Sequence, residues 1–108
     1  MPEPVLDLRP DQLQMVLHIL QRRVSTFNVW AFGSRAKGTA KPYSDLDLAV
    51  ITQEPLAVNV LADLSDDFSE SDLPFKVDVV DWASTRETFR AIIAQEKIVV
   101  QVGATKFD

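Results

Sequence analysis

Cysteine is missing from this chain of 108 residues, which excludes disulfides and thiolate metal sites. Long apolar runs are missing as well, since no stretch approaches the ~20 residues that cross a membrane. The acidic, proline-containing start MPEPVLDLRP is unlike a signal peptide. Repeats, low-complexity tracts and linkers are also absent. We therefore expect a single domain spanning residues 1–108, located in the cytoplasm and making no membrane contact.

Histidine is rare, and the 11 Lys and Arg residues are outnumbered by 16 Asp and Glu residues. His18 is the one histidine of the chain, and it lies off the apolar stripe of its predicted helix. We therefore interpret it as a surface residue rather than a general base. The net charge of −5 argues against a broad nucleic-acid surface, because phosphate backbones are held by clustered Lys and Arg. Stable nucleic-acid binding is not expected, although a small nucleotide remains compatible with this charge.

The hydrophobic pattern predicts alternating helices and strands. Apolar residues at helical spacing mark helices that begin at Pro10, near Leu56 and near Thr85. The start of the last helix is placed by Ser84-Thr85-Arg86-Glu87, which has the pattern of a capping box. Strands are predicted at residues 27–32, 46–52, 75–81 and 97–102. The order indicates an α/β (α+β) fold, a small mixed β-sheet with helices packed on one side.

Residues 29–51, VWAFGSRAKGTAKPYSDLDLAVI, carry the most informative pattern. An apolar strand ends at Gly33-Ser34, where backbone N–H groups and a hydroxyl can face an anion. A short helix to about Lys37 and a polar loop follow. In the next strand Asp45 and Asp47 point to one face, because side chains alternate along a strand. At ~4 Å and an effective dielectric of about 20, two such charges repel by roughly 4 kcal/mol, and a hard cation such as Mg²⁺ would relieve this.

Gly33-Ser34, ten residues, and then Asp45-Leu46-Asp47 resemble the signature of the DNA polymerase β-type nucleotidyltransferase superfamily. The short chain is similar to its minimal nucleotidyltransferase (MNT) branch, the MntA-like antitoxins that are paired with HEPN-domain toxins. The alternative is an Asp-rich β-turn at a strand entrance. The resemblance implies a polymerase β-type nucleotidyltransferase core and a third carboxylate on a neighbouring strand.

Two residues of the strand at 75–81 could supply that third carboxylate. Asp78 shares a face with Lys76 and Val80, whereas Asp81 ends the apolar face that should point to the core. Asp81 also suits a turn or a helix cap, because it lies at the end of the strand. We therefore choose Asp78 as the third site residue.

The resemblance implies a set of roles for these residues. Asp45, Asp47 and Asp78 would be the catalytic residues and hold two Mg²⁺ ions, with ATP as substrate and Asp78 also as general base. Nucleotide binding is assigned to Gly33, Ser34, Arg35, Lys37 and Ser44. Within this set Gly33 and Ser34 would cradle the phosphates, and Ser44 would orient the Asp45 turn. Arg35 and Lys37 either neutralise the departing pyrophosphate or form surface salt bridges.

The family resemblance also implies the acceptor. The chain ends soon after its last predicted strand, so we expect the acceptor to come from another molecule. MntA-like proteins imply transfer of AMP to a tyrosine of a HEPN ribonuclease toxin, within a hetero-oligomer. An alternative is a non-catalytic antitoxin that blocks its partner by occlusion, through apolar residues such as Trp82 or Phe107. Transfer to a small molecule or to RNA would need an acceptor pocket that the sequence does not indicate.

Overall fold

The computed structural model describes residues 5–104. Four strands and four helices follow one another in the predicted order. Their bounds are α1 Pro10–Val24, β1 Asn28–Phe32, α2 Ser34–Lys37, β2 Leu46–Ile51, α3 Val58–Ser69, β3 Val77–Asp81, α4 Glu87–Glu96 and β4 Ile98–Gln101. A 3₁₀ turn, Trp82–Ser84, lies between β3 and α4. Each predicted strand is therefore confirmed to within two residues at either end.

The strands form one mixed sheet in the order β3-β2-β1-β4. β1 is antiparallel to both β2 and β4, and β2 is parallel to β3. A parallel pair needs a crossover connection, which α3 provides. This topology places β2 in the interior of the sheet, so that a side chain on β2 has neighbours on both β1 and β3.

The main core lies between one face of the sheet and helices α1 and α3. The apolar stripe of α1 puts Val16, Leu20 and Val24 against this face, and each is almost completely buried. From α3, Leu64 and Phe68 join the same cluster. Exposed positions of α1 include His18, as predicted.

Within residues 5–104, no helix combines the length and the apolar character of a membrane span.

The last helix lies on the opposite face of the sheet. Ile93 of α4 is completely buried against Phe32 and Ala49, which alternate along their strands with the residues of the main core. Trp30 and Trp82 extend this second cluster with an edge-to-face contact at 5.3 Å between ring centroids. The mixed α/β fold is confirmed, but the prediction that helices pack on one side holds only for α1 and α3.

The start of α4 also differs from the prediction. The capping box at residues 84–87 does not form, because Ser84 belongs to the preceding 3₁₀ turn and its N–H donates to Asp81 Oδ1 at 2.7 Å. The Thr85 hydroxyl donates to the Asp81 carbonyl oxygen, also at 2.7 Å. Both hydroxyl residues are thus used before the helix begins at Glu87. Trp82 is partly buried, whereas Phe107 lies outside the described residues.

Candidate active site

The turn between β1 and α2 depends on glycine for two reasons. Gly33 has φ +78° and ψ −159°, a conformation that is essentially restricted to glycine. A Cβ at this position would also collide with the carboxylate of Asp47. The absence of a side chain therefore lets the backbone of the Gly33–Ser34 turn approach a carboxylate of the neighbouring strand.

Two of the predicted site carboxylates lie on adjacent strands at the same level. Asp47 of β2 is the register partner of Asp78 of β3, and on its other side it pairs with Phe32 of β1. Leu46 and Leu48 point to the opposite face, where both are completely buried. Asp45 is exposed and directly precedes β2. The alternation along β2 and β3 thus brings Asp47, Asp78 and the Gly33 turn together.

The two candidates for the third carboxylate have different environments. Asp78 is partly exposed on the face of Asp47, and its nearest cation is Lys76, with 3.3 Å between Nζ and Oδ1. Asp81 is 4% exposed. Its carboxylate accepts the Ser84 N–H and, at 3.1 Å, the Leu56 N–H. The predicted capping role of Asp81 is confirmed, and its position on the core face separates it from Asp47.

Electrostatic repulsion is concentrated at Asp47. Burial raises the pKa of Asp47, and the carboxylates of Asp78, Asp45 and Glu96 raise it further. Each of these causes disfavours a negative charge at this position. A cation bound among these groups would reverse the penalty, because it would offset both the lost hydration and the mutual repulsion.

The donor set fits a hard divalent cation. The charged neighbours that raise the pKa of Asp47 are all carboxylates, whose oxygens are the ligands that Mg²⁺ prefers. Between residues 5 and 104, no three acidic, histidine or cysteine side chains already stand in the arrangement of a metal site. Coordination by Asp45, Asp47 and Asp78 together would therefore require at least one of these side chains to rotate.

Arg35 does not lie in the position that a phosphate-binding role requires. The side chain is buried, and its Nε donates to the Ser44 carbonyl oxygen at 2.9 Å. The guanidinium also donates to the carbonyl oxygens of Asp7 at 2.9 Å and Pro42 at 3.0 Å. Its Cζ lies 4.0 Å from the centroid of the Phe75 ring. Arg35 thus holds the loop between α2 and β2 in place, and neither the pyrophosphate role nor the surface salt bridge describes it.

Lys37 and Ser44 lie on either side of this loop. Lys37 is half-exposed on α2, with its Nζ 3.6 Å from Glu96 Oε2. The Ser44 hydroxyl accepts the Lys41 N–H at 2.8 Å, and the Ser44 carbonyl oxygen accepts from Arg35. Ser44 therefore shapes the turn that leads to Asp45, which is the local role that the sequence predicted for it.

Glu96 is a neighbour of the site that sequence reasoning missed. Its Oε1 accepts the Gly33 N–H at 3.0 Å, although the two residues are far apart in the chain. Glu96 ends α4 on the side of Ile92 and Ile93, since residues three and four apart share a helix face. The sequence feature that could have indicated Glu96 as a site residue is its position as an acidic residue at the end of an otherwise apolar stripe. Its partner could not be identified before the packing of α4 was known.

These features define a class of protein: a small mixed-sheet domain in which a Gly-Ser turn faces carboxylates on two adjacent strands. The sequence profile described as "Polymerase beta, Nucleotidyltransferase" matches residues 14–102. The chain is also 53% identical over 96 residues to the "Probable protein adenylyltransferase MntA" of Haemophilus influenzae (strain ATCC 51907 / DSM 11121 / KW20 / Rd), covering 89% of this chain and 84% of that protein. The chain therefore belongs to the polymerase β nucleotidyltransferase family.

Solved structures share the fold. One is described as a toxin–antitoxin with AMP-PNP, with a TM-score of 0.71 and 22% identity, covering 83% of this chain and 73% of that one. Another is a tri-AMPylated HEPN toxin of Shewanella oneidensis in complex with an MNT antitoxin. Its TM-score is 0.65 at 19% identity, covering 83% of this chain and 69% of that one. At these sequence identities, the structural similarity supports the assignment of the fold.

Proposed function

We propose that this protein is an antitoxin that uses Mg-ATP to transfer AMP to a tyrosine of a cognate HEPN ribonuclease toxin, in the cytoplasm. The observation that carries this proposal is the pairing of Asp47 with Asp78 beside the Gly33 turn. The curated relative is named as a protein adenylyltransferase, and a structure of the same fold contains an AMPylated HEPN toxin. Both support protein as the acceptor, rather than a small molecule or RNA.

Asp45, Asp47 and Asp78 would hold two Mg²⁺ ions. When bound, the ions neutralise charge on the triphosphate and favour the ionised form of the attacking hydroxyl. Burial and, after it, the neighbouring carboxylates raise the pKa of Asp47, so the site favours an occupant of positive charge. This electrostatic preference supports a role for the carboxylates as ligands over a purely structural one.

The chain's own residues would position the reactants. The backbone of Gly33 and the hydroxyl of Ser34 hold phosphate oxygens, and Lys37 supplies a positive charge for the pyrophosphate. The acceptor oxygen forms a bond to the α-phosphorus, and the bond from that phosphorus to the pyrophosphate oxygen breaks. Asp78 takes the proton of the acceptor hydroxyl. The products are the AMP ester of the acceptor and pyrophosphate.

Arg35 and Ser44 support this site indirectly. Arg35 joins the end of the loop, at the Ser44 carbonyl oxygen, to the segment before α1, at the Asp7 carbonyl oxygen, and Ser44 closes the turn before Asp45. Their function would be to fix where β2 begins and therefore where Asp45 lies. A defect in either residue should change the stability of the protein as well as its activity.

The test is transfer of label from α-labelled ATP to the co-purified toxin in the presence of Mg²⁺. We expect Asp78→Asn to reduce transfer at least about 100-fold, because it removes a carboxylate from the proposed metal centre. The variant should lose little stability. Asp81→Asn is the matched control, because this cap lies on the same strand but on the other face. It should lower stability and retain transfer at temperatures where it is folded.

Two results would contradict the proposal. One is the absence of transfer by the wild-type protein under these conditions. The other is equal transfer by wild type and by the Asp45→Asn, Asp47→Asn double variant. If that double variant also protected cells from the toxin as well as wild type, neutralisation by occlusion would be the correct function.

A further inference from the structure

One carboxylate binds two groups that the proposed function assigns to nucleotide phosphates. Glu96 Oε1 accepts the Gly33 N–H at 3.0 Å, and Oε2 lies 3.6 Å from Lys37 Nζ. A backbone N–H and an ammonium group converging on two anionic oxygens are the contacts that a phosphate would receive. The carboxylate oxygens of Glu96 therefore stand where phosphate oxygens would be expected.

We propose that Glu96 is a placeholder carboxylate: it occupies a phosphate position in the nucleotide-free protein and is displaced when a polyphosphate binds. This inference rests on the proposed function, since it takes the occupant to be the triphosphate of ATP. Displacement would free the Gly33 N–H and release Lys37 to face the same phosphate. The side chain thus competes with the nucleotide instead of assisting its binding.

The surroundings of Glu96 permit this movement of the side chain. The end of α4 is anchored by Ile93, which is completely buried, and by Lys97, whose Nζ lies 4.0 Å from the centroid of the Trp30 ring. The Glu96 side chain keeps 21% of its surface exposed, and its Oε2 lies 3.6 Å from Lys37 Nζ, which is longer than a hydrogen bond. A rotation of the side chain can therefore vacate the position without unfolding the helix.

Charge also favours displacement. Glu96 contributes to the repulsion at Asp47, together with Asp45 and Asp78. A triphosphate that arrived with Glu96 in place would meet a fourth carboxylate and a lysine already neutralised by it. Exchange of Glu96 for the phosphate keeps the Gly33 N–H and Lys37 satisfied, and it moves one negative charge away from the site.

The decisive variant is Glu96→Gln, which keeps an acceptor for the Gly33 N–H and removes the charge. Binding of Mg-ATP and of Mg-tripolyphosphate is measured by titration calorimetry. We expect Glu96→Gln to bind both probes about three- to tenfold more tightly, as loss of one competing charged contact implies. Glu87→Gln is the matched control, because it removes the same charge from the exposed start of α4. It should change affinity by less than about twofold.

A second measurement reports the contact itself. In NMR spectra of the wild-type protein, the amide resonance of Gly33 should shift when Mg-tripolyphosphate is added. In Glu96→Ala, the Gly33 amide resonance should already be shifted without ligand, because the Gly33 N–H has lost the Glu96 carboxylate as its acceptor. Ala also tests a positioning role, since a residue needed to hold the turn would show weaker binding when it is truncated.

Each outcome decides the placeholder role. Weaker binding by Glu96→Gln or Glu96→Ala would overturn it, as would a change no larger than that of Glu87→Gln. The placeholder role would also be overturned if the Gly33 amide resonance shifted neither on addition of Mg-tripolyphosphate nor in Glu96→Ala, even if AMP transfer were observed. If Mg-tripolyphosphate binds and displaces Glu96 while Mg-ATP does not bind, the placeholder role stands and the proposed function fails.

Discussion

The two faces of β2 perform different tasks with consecutive residues. On one face Leu46, Leu48 and Val50 are completely buried under α1 and α3. On the other face Asp47 lies among carboxylates, and Ala49 begins the small cluster around Ile93. One strand therefore contributes alternately to the core and to the candidate site.

This small domain separates stability from reactivity by using different faces of one sheet for each. Among residues 5–104, the core face gathers twelve buried apolar residues, whereas the second face gathers three. Helix α4 covers only part of the second face. Asp47 and Asp78 on that face are therefore only partly buried and can contact a ligand. The large core on one side supplies the stability that allows repelling charges on the other.

The largest effect should come from a cavity on the core face. Leu48→Ala removes a completely buried side chain and should lower the free energy of unfolding by about 2–5 kcal/mol. Ile51→Ala on the opposite face of the same strand should cost roughly half as much, because Ile51 is partly exposed. Urea denaturation measures both values. Equal losses would show that the two faces contribute alike.

The next effect concerns the loop that leads to the site. Arg35→Leu should lower the free energy of unfolding by roughly 2–3 kcal/mol, because several backbone carbonyl groups lose their donor. Lys37→Leu, two residues later on the exposed side of α2, should cost less than about 1 kcal/mol. Thermal denaturation would distinguish them. If Arg35→Leu left the free energy of unfolding unchanged and weakened nucleotide binding, a phosphate-binding role for Arg35 would be supported instead.

A smaller effect is expected at the turn facing Asp47. Gly33→Ala should destabilise the protein by about 1–3 kcal/mol, because its positive φ is strained for alanine and its Cβ collides with Asp47. Gly38→Ala is the matched control: it has φ +77° but faces open space, so about 1 kcal/mol is expected. Nucleotide binding should fall only in Gly33→Ala. Similar binding by both variants would contradict a site at this turn.

The smallest effect has the opposite sign. The raised pKa of Asp47 means that the folded protein binds this proton more tightly than the unfolded chain does. Stability is therefore lost as pH rises from the ordinary value of 3.8 through the folded value. Without divalent cations, Asp47→Asn should stabilise the protein at pH 7 by roughly 0.5 kcal/mol, since the partly exposed charge is screened.

A control for this effect lies at the surface between α1 and α3. Asp67 has a pKa lowered by its hydrogen bond to Arg23, so its contribution is present at neutral pH and lost as pH falls. Asp67→Asn should therefore lower stability at pH 7, where Asp47→Asn raises it. Thermal denaturation between pH 4 and pH 8 compares the two. A stability loss in Asp47→Asn would contradict the proposed repulsion.

Local patterns predicted most of the fold. Alternation within residues 46–52 and 75–81 correctly assigned the faces of Asp47, Asp78 and Asp81, because side-chain direction in a strand follows directly from sequence position. The start of α4 was not predicted, since Ser84 and Thr85 bond to Asp81 instead of capping the helix. Side-chain hydrogen bonds of this kind depend on where the preceding strand ends.

The sequence by itself determined the strands, the glycine turn and the faces on which Asp47, Asp78 and Asp81 lie, because all of these follow from short-range geometry. The tertiary structure alone decided that Arg35 is buried and that Glu96 reaches the Gly33 N–H. Both depend on contacts between distant segments. An arginine at the surface and an arginine beneath a loop have the same local pattern, and only the packing of the loop and of α4 distinguishes their environments.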